Sequence, residues 1–127
     1  MLISEAAPCT VMGFEELLRS AVENVVRNAI RYTGEGSVVG ISLQVTDSQA
    51  VIRVRDHGPG VPESMLSEIF LPFRRFANGD GAGLGLAIAE RAVSVHQGTI
   101  RAMNAAGGGL IIEIGLPQKS VQGSRHD

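Results

Sequence analysis

Gly79-Asp80-Gly81-Ala82-Gly83-Leu84-Gly85-Leu86 leads straight into a stretch of helical apolar periodicity, and the rest of the chain is read outward from this junction. Glycines let backbone N–H groups approach an anion closely, and a helix start behind them adds the positive end of a dipole. The run is a candidate phosphate cradle, beside the simpler reading in which the glycines only cap and connect. Two familiar cradles do not fit. A P-loop needs a lysine within the glycine run, and the sole lysine is Lys119, near the C-terminus. A dinucleotide fingerprint needs a strand followed by Gly-x-Gly-x-x-Gly. Here the spacing is Gly81-x-Gly83-x-Gly85, and Arg74-Arg75-Phe76-Ala77-Asn78 before it does not read as a strand.

Upstream, Asp56-His57-Gly58-Pro59-Gly60 follows the alternating stretch Val51-Ile52-Arg53-Val54-Arg55. A carboxylate at a strand end beside a Gly/Pro turn either starts an Asx-type turn or reads an amine. Further upstream, Leu17/Leu18, Ala21/Val22, Val25/Val26 and Ala29/Ile30 recur every four residues, which predicts a helix over Glu15 to Tyr32 with one broad apolar face. Asn24, Asn28 and Arg31 fall on one border of that face, and carboxamides there are able to hold a metal. Asparagine is a mediocre helix former, so two of them four apart suggest a use beyond helix formation, with surface filler as the alternative. Glu23, four before Arg27 on the other border, predicts an ordinary ion pair.

With these segments in order, the chain resembles the catalytic, ATP-binding domain of bacterial sensor histidine kinases, within the GHKL ATPase superfamily. Glu23-Asn24-Val25-Val26-Arg27-Asn28-Ala29-Ile30-Arg31-Tyr32-Thr33 is similar to the N box and Asp56-x-Gly58-x-Gly60 to the G1 box. Ile69-Phe70-Leu71-Pro72-Phe73-Arg74-Arg75-Phe76 is similar to the F box, and Gly81-Ala82-Gly83-Leu84-Gly85-Leu86 to the G2 box. The resemblance runs from about Val11 to Pro117, and the phrase from Ser20 to Thr33 is similar to envelope-stress sensor kinases. It implies ATP and Mg²⁺ as ligands and a histidine on a separate dimerisation domain as phosphoryl acceptor, with a response regulator downstream. By resemblance, Asp56 accepts from the adenine amine, Tyr32 packs beside the purine, and Gly58 and Gly60 keep the turn close to the base. Asn28 coordinates Mg²⁺, Asn24 supports metal and phosphates, and Arg31 meets phosphate oxygens. Phe73, Gly81, Ala82, Gly83, Leu84, Gly85 and Leu86 complete the nucleotide-binding set, and Arg75 reaches the γ-phosphate or the partner domain, or is simply solvated.

The chain also departs from the family pattern. Only Ala77-Asn78-Gly79-Asp80 separates the F and G2 boxes, so a short lid and an open site are expected. Ala82 stands where the family often has Thr or Ser. Before the N-box helix only Cys9-Thr10-Val11-Met12 reads as a strand, and the chain is expected to be N-terminally truncated relative to the family. None of its three histidines fits the acceptor: His57 lies in G1, His126 in the tail, and His96 is expected at a helix C-terminus, favoured by the dipole.

The 127 residues, 44% of them hydrophobic, suffice for one core, so residues 1–117 are read as a single domain and 118–127 as a disordered tail. A net charge of −2 without a basic cluster gives no sign of a nucleic-acid partner. No apolar run is long enough to span a membrane, and the single cysteine, Cys9, excludes a disulfide framework. A cytoplasmic, monomeric module of a membrane-anchored parent is expected. Val38 to Val45 and Gln49 to Arg55 are predicted as a hairpin, Pro62 to Phe70 as a short helix, and Gly83 to Gln97 as the G2 helix with Leu84, Ile88, Ala92 and Val95 inward. Thr99 to Asn104 and Leu110 to Leu116 are predicted to pair. Strands in runs with helices on one face predict an α+β two-layer sandwich, the Bergerat fold of the resembled family, with a mixed, mostly antiparallel sheet. Other readings are a gyrase-type ATPase, which would want a glutamate in place of Asn24, an anti-sigma serine kinase, and a degenerate nucleotide-binding or interaction module.

Overall fold

Eighteen residues of unbroken helical periodicity form one helix, α1 (Glu15–Tyr32), with the predicted bounds. The computed structural model describes residues 2–5, 13–33, 37–46, 48–72 and 84–118. In chain order the elements are β1 (Leu2–Glu5), α1, β2 (Gly40–Val45), β3 (Gln49–Arg55), two 3-10 turns (Glu63–Met65 and Glu68–Phe70), α2 (Gly85–Val95), β4 (Thr99–Asn104) and β5 (Leu110–Pro117). The strands make one sheet in the order β1-β2-β3-β5-β4, antiparallel throughout except for the parallel pair β1 and β2. This is the α+β two-layer arrangement expected, with α1 and α2 packed together over the sheet.

Register explains which face the helices cover. Ala50 pairs with Leu116, Ile52 with Ile114 and Val54 with Ile112, while Ile100 and Ala102 of β4 flank Ile114 and Ile112 from the other side. Because strand side chains alternate, these residues share one face; Val54, Ile112, Ile114 and Leu116 join Ala21, Val25, Ala29, Leu86, Ala89, Ala92 and Val93 in a single buried cluster, with the partly buried Ile52, Ile100 and Ala102 packed against it. On the opposite face Arg53 and Arg101 lie directly across from Glu113 and both bond its carboxylate, Arg101 at 2.8 Å. Burial pushes the Glu113 carboxyl up, but hydrogen bonds and charge from the two guanidiniums outweigh it and hold the group below the usual carboxylate range.

Several expectations are corrected. β2 begins at Gly40 rather than Val38, and the segment from Pro62 to Phe70 is two separate 3-10 turns rather than one helix. α2 is shorter than Gly83 to Gln97 and turned: Leu84, Ile88 and Val95 are exposed, whereas Leu86, Ala89, Ala92 and Val93 are buried. The sequence carries apolar residues on both sides of this helix, and the buried side is the one whose alanines fit the same cluster as Ala21 and Ala29 of α1. Glu23 and Arg27 make no ion pair among the described residues; the i,i+4 pair on α1 is Glu15 with Arg19, at 2.8 Å. β1 is a strand the sequence did not announce. The expected strand at Cys9 to Met12, the breaker Gly34 to Gly36, the lid Ala77 to Asp80 and residues 119–127 lie outside the described residues.

Candidate functional site

Asp56 leaves the end of β3 and is only 3% exposed. Its backbone N–H donates to the carbonyl of Leu110 (2.9 Å), and its Oδ1 accepts from the N–H groups of Leu110 (3.0 Å) and Gly58 (2.9 Å). Burying a carboxylate is costly unless donors surround it, and here two backbone amides converge on one oxygen. The turn-forming and the ligand-reading interpretations of Asp56 are therefore compatible: Oδ1 builds the turn, and among the described residues no hydrogen bond goes to Oδ2.

The loop after Asp56 rests on the C-terminal end of α1. A Cβ at Gly58 would collide with the carbonyl oxygen of Tyr32, so only glycine allows this approach. Thr33 Oγ1 accepts from the His57 N–H (3.2 Å), and His57 Nδ1 bonds the Val38 carbonyl (2.7 Å). These contacts bring Asp56, Gly58 and the half-buried Tyr32 to one place, as the spacing in the sequence could not show.

One turn back along α1, Asn24 Nδ2 donates to the Ser20 carbonyl (2.8 Å) and to Ser20 Oγ (3.3 Å), which fixes which end of the carboxamide is which. Its Oδ1 faces the start of α2, where a Cβ on Gly85 would stand 3.2 Å away. Asn28 is half-buried and Arg31 exposed, and neither side chain makes a hydrogen bond among the described residues. Among the described residues, α2 begins without a side-chain cap and without an acidic residue in its first turn, so no described side chain compensates its leading N–H groups and dipole. Leu84 is exposed there, while the Leu86 side chain belongs to the core and leaves only its backbone to the site. Among the described residues no three His, Cys, Asp or Glu side chains converge to hold a metal. Asn28 lies four residues along α1 from Asn24, and its carboxamide oxygen, unengaged among the described residues, suits a hard cation that takes its other ligands from phosphate and water. Phe73, Arg75, Gly81, Ala82 and Gly83 lie outside the described residues.

Sequence reasoning did not single out Leu110, Asn104, Thr33 Oγ1 or Arg55. Arg55 Nη2 donates to the carbonyls of Ala106 and Gly108 at 3.1 Å each, and Asn104 pairs with the backbone of Val61. The only hint was an asparagine ending a strand before a glycine run. His96 stands at the C-terminal end of α2, as expected, and its ring has two backbone partners. It is buried, its Nε2 accepts from the Phe14 N–H (2.8 Å) and its Nδ1 bonds the Ala92 carbonyl (2.7 Å), so the ring is neutral with its proton on Nδ1. It ties the end of α2 to the residue before α1.

Residues 13–120 match the family model of histidine kinase-, DNA gyrase B- and HSP90-like ATPases. The chain is 40% identical to the sensor protein kinase PmrB of Pseudomonas aeruginosa over 119 residues, which is 91% of this chain and 25% of that protein. It is 40% identical to the sensor histidine kinase CpxA of Escherichia coli over 115 residues, again 25% of that protein. The chain thus spans about a quarter of the length of these curated relatives. Among solved structures, the mycobacterial sensor histidine kinase MprB superposes with a TM-score of 0.86 at 34% identity, covering 94% of this chain and 83% of that one. Full-length ShkA in complex with AMPPNP superposes at 0.79 with 29% identity, covering 94% of this chain and 26% of that one.

Proposed function

The chain belongs to the histidine kinase-, DNA gyrase B- and HSP90-like ATPase family, and from that membership we propose that it is the catalytic ATP-binding module of a sensor histidine kinase. The observation that carries this reading is the Asp56 carboxylate, buried, held through Oδ1 by two backbone amides, and beside Tyr32 with Oδ2 unengaged among the described residues. An acceptor so fixed selects the exocyclic amine of adenine over the carbonyl of guanine, because guanine would set oxygen against oxygen.

Phosphates extending from a base at Asp56 toward α2 would meet its uncapped first turn and the Arg31 guanidinium. Asn28 and Asn24 would present carboxamide oxygens to Mg²⁺, which neutralises phosphate charge and orients the γ-phosphoryl group when bound. In the transfer, the bond from the γ-phosphorus to the ADP oxygen breaks, a bond to an imidazole nitrogen forms, and the imidazole loses its proton. Of the described histidines, His96 is buried with both ring nitrogens engaged and does not serve as acceptor, and His57 lies in the loop after Asp56, held against Thr33 and Val38. The acceptor is a histidine on a separate dimerisation domain of the same kinase, which passes the phosphoryl group to a response regulator. Among the described residues no helix is long and apolar enough to cross a membrane.

The test is calorimetric titration with Mg²⁺ and a non-hydrolysable ATP analogue. Binding at micromolar to submillimolar Kd, about −8 to −5 kcal/mol, with GTP analogues much weaker, is the expected result. A folded chain that binds neither nucleotide would favour an interaction module instead.

A further inference from the structure

The loop carrying Asp56, Gly58 and Gly60 is held at both ends by one cross-strand residue pair. Asn104, last in β4, is the register partner of Leu110, first in β5. Leu110 engages Asp56 through both of its backbone polar groups, by the Asp56 N–H to its carbonyl and by its own N–H to Oδ1. Asn104 engages Val61 in the same two-way manner: Oδ1 accepts from the Val61 N–H (3.0 Å) and Nδ2 donates to the Val61 carbonyl (2.6 Å). The carboxamide thus does for Val61 what a neighbouring strand would do, and asparagine has both a donor and an acceptor at the needed reach. Gly60, at φ +76°, sits against that side chain, where a Cβ would stand 2.7 Å from Asn104 Oδ1. Arg55 closes the assembly from behind by bonding the carbonyls of Ala106 and Gly108 in the turn that joins the pair.

We infer that the Asn104/Leu110 pair is the clamp that fixes the opening of the loop from Asp56 to Val61, and that Asn104 is a positioning residue for the base of the nucleotide. This rests on the proposed reading of Asp56 as the adenine acceptor. Asn104 acts through the loop: without it, Val61 and Gly60 are free to move while Asp56 stays anchored to Leu110, and the wall facing the base loses its fixed distance from the carboxylate.

The experiment uses the whole chain carrying Asn104→Ala and, separately, Asn104→Asp, which keeps an acceptor for the Val61 N–H. Amide hydrogen exchange and titrations with Mg²⁺ plus either the non-hydrolysable ATP analogue or inorganic tripolyphosphate are compared with the unaltered chain. In Asn104→Ala, Val61 exchange is expected to quicken about tenfold, with the Ile114 amide unchanged. ATP-analogue binding is expected to weaken about tenfold, the worth of a hydrogen bond or two, with tripolyphosphate binding unaltered. Asn104→Asp keeps the acceptor for the Val61 N–H but loses the donor to its carbonyl, so Val61 exchange is expected between that of Asn104→Ala and that of the unaltered chain. Unchanged Val61 exchange, or equal losses for analogue and tripolyphosphate, would overturn the clamp. Failure of the unaltered chain to bind the analogue would overturn the proposed function and with it the role of Asn104 toward the base, while the exchange measurement judges the clamp itself without nucleotide.

Discussion

Asp56→Asn exchanges an acceptor for an amide that cannot accept from both backbone N–H groups and also receive an amine. It is expected to weaken ATP-analogue binding by at least tenfold, the range for a lost charge-assisted hydrogen bond, measured by calorimetry on protein whose thermal transition is intact. Asn28→Ala is expected to act differently. It should lower affinity in Mg²⁺ but not in EDTA, since its side chain makes no hydrogen bond among the described residues and has no fold contact of that kind to lose. His96→Ala leaves the Phe14 N–H and the Ala92 carbonyl without their buried partner. A loss of about 1–3 kcal/mol in urea unfolding is expected, with nucleotide affinity per folded molecule unchanged. At this scale the residues of the site were legible where a glycine-flanked carboxylate or a helical asparagine stands out. They were illegible where a side chain serves the backbone of a distant loop, as Asn104 serves Val61 across 43 positions.

The two helices differ in how openly they declared their faces. α1 repeats apolar pairs every four residues, and Ala21, Val25 and Ala29 of that broad face are inward as read, whereas Leu17 and Ile30, read on the same face, are exposed at its edges. α2 is apolar on more than one side, and periodicity alone cannot choose between Leu84/Ile88/Val95 and Leu86/Ala89/Val93; contact with α1 chooses. The choice is checkable. Ile88→Ser is expected to change unfolding free energy by less than about 0.5 kcal/mol, as at an exposed site, whereas Leu86→Ala should cost about 2–4 kcal/mol. On the open face of the sheet, Glu113 offers a test in pH. Its folded pKa lies below the unfolded value of about 4.3. The stabilisation is thus fully present above that value and lost as pH falls through the lower, folded one. With Arg53 49% and Arg101 67% exposed, solvent screening limits the contribution to about 1 kcal/mol. Glu113→Gln should flatten that part of the stability profile relative to the unaltered chain, and 1 M salt should shrink the difference.

For the molecule as a whole, nucleotide and fold are linked by mass action. At a free analogue concentration of 100 Kd the native state should gain about 2.7 kcal/mol, visible as a rise in melting temperature that a tenfold weaker Asp56→Asn would cut to about half. The sandwich was readable from the order of strands and helices, whereas β1 was not, because four residues carry too little pattern to be told from loop. The sheet's register has a further bearing on how such a chain can be altered. β3 and β5 run side by side over seven paired positions, from Gln49 with Pro117 to Arg55 with Ile111. Everything between Arg55 and Leu110, including the turn after Asp56, the segment before α2 and α2 itself, is one long excursion that departs from and returns to adjacent rungs. Since the entropy of closing such an excursion grows only logarithmically, doubling its length costs about 0.6 kcal/mol. The ladder thus serves as a docking port, across which a longer lid could be transplanted between Pro72 and Leu84 without rethreading the sheet.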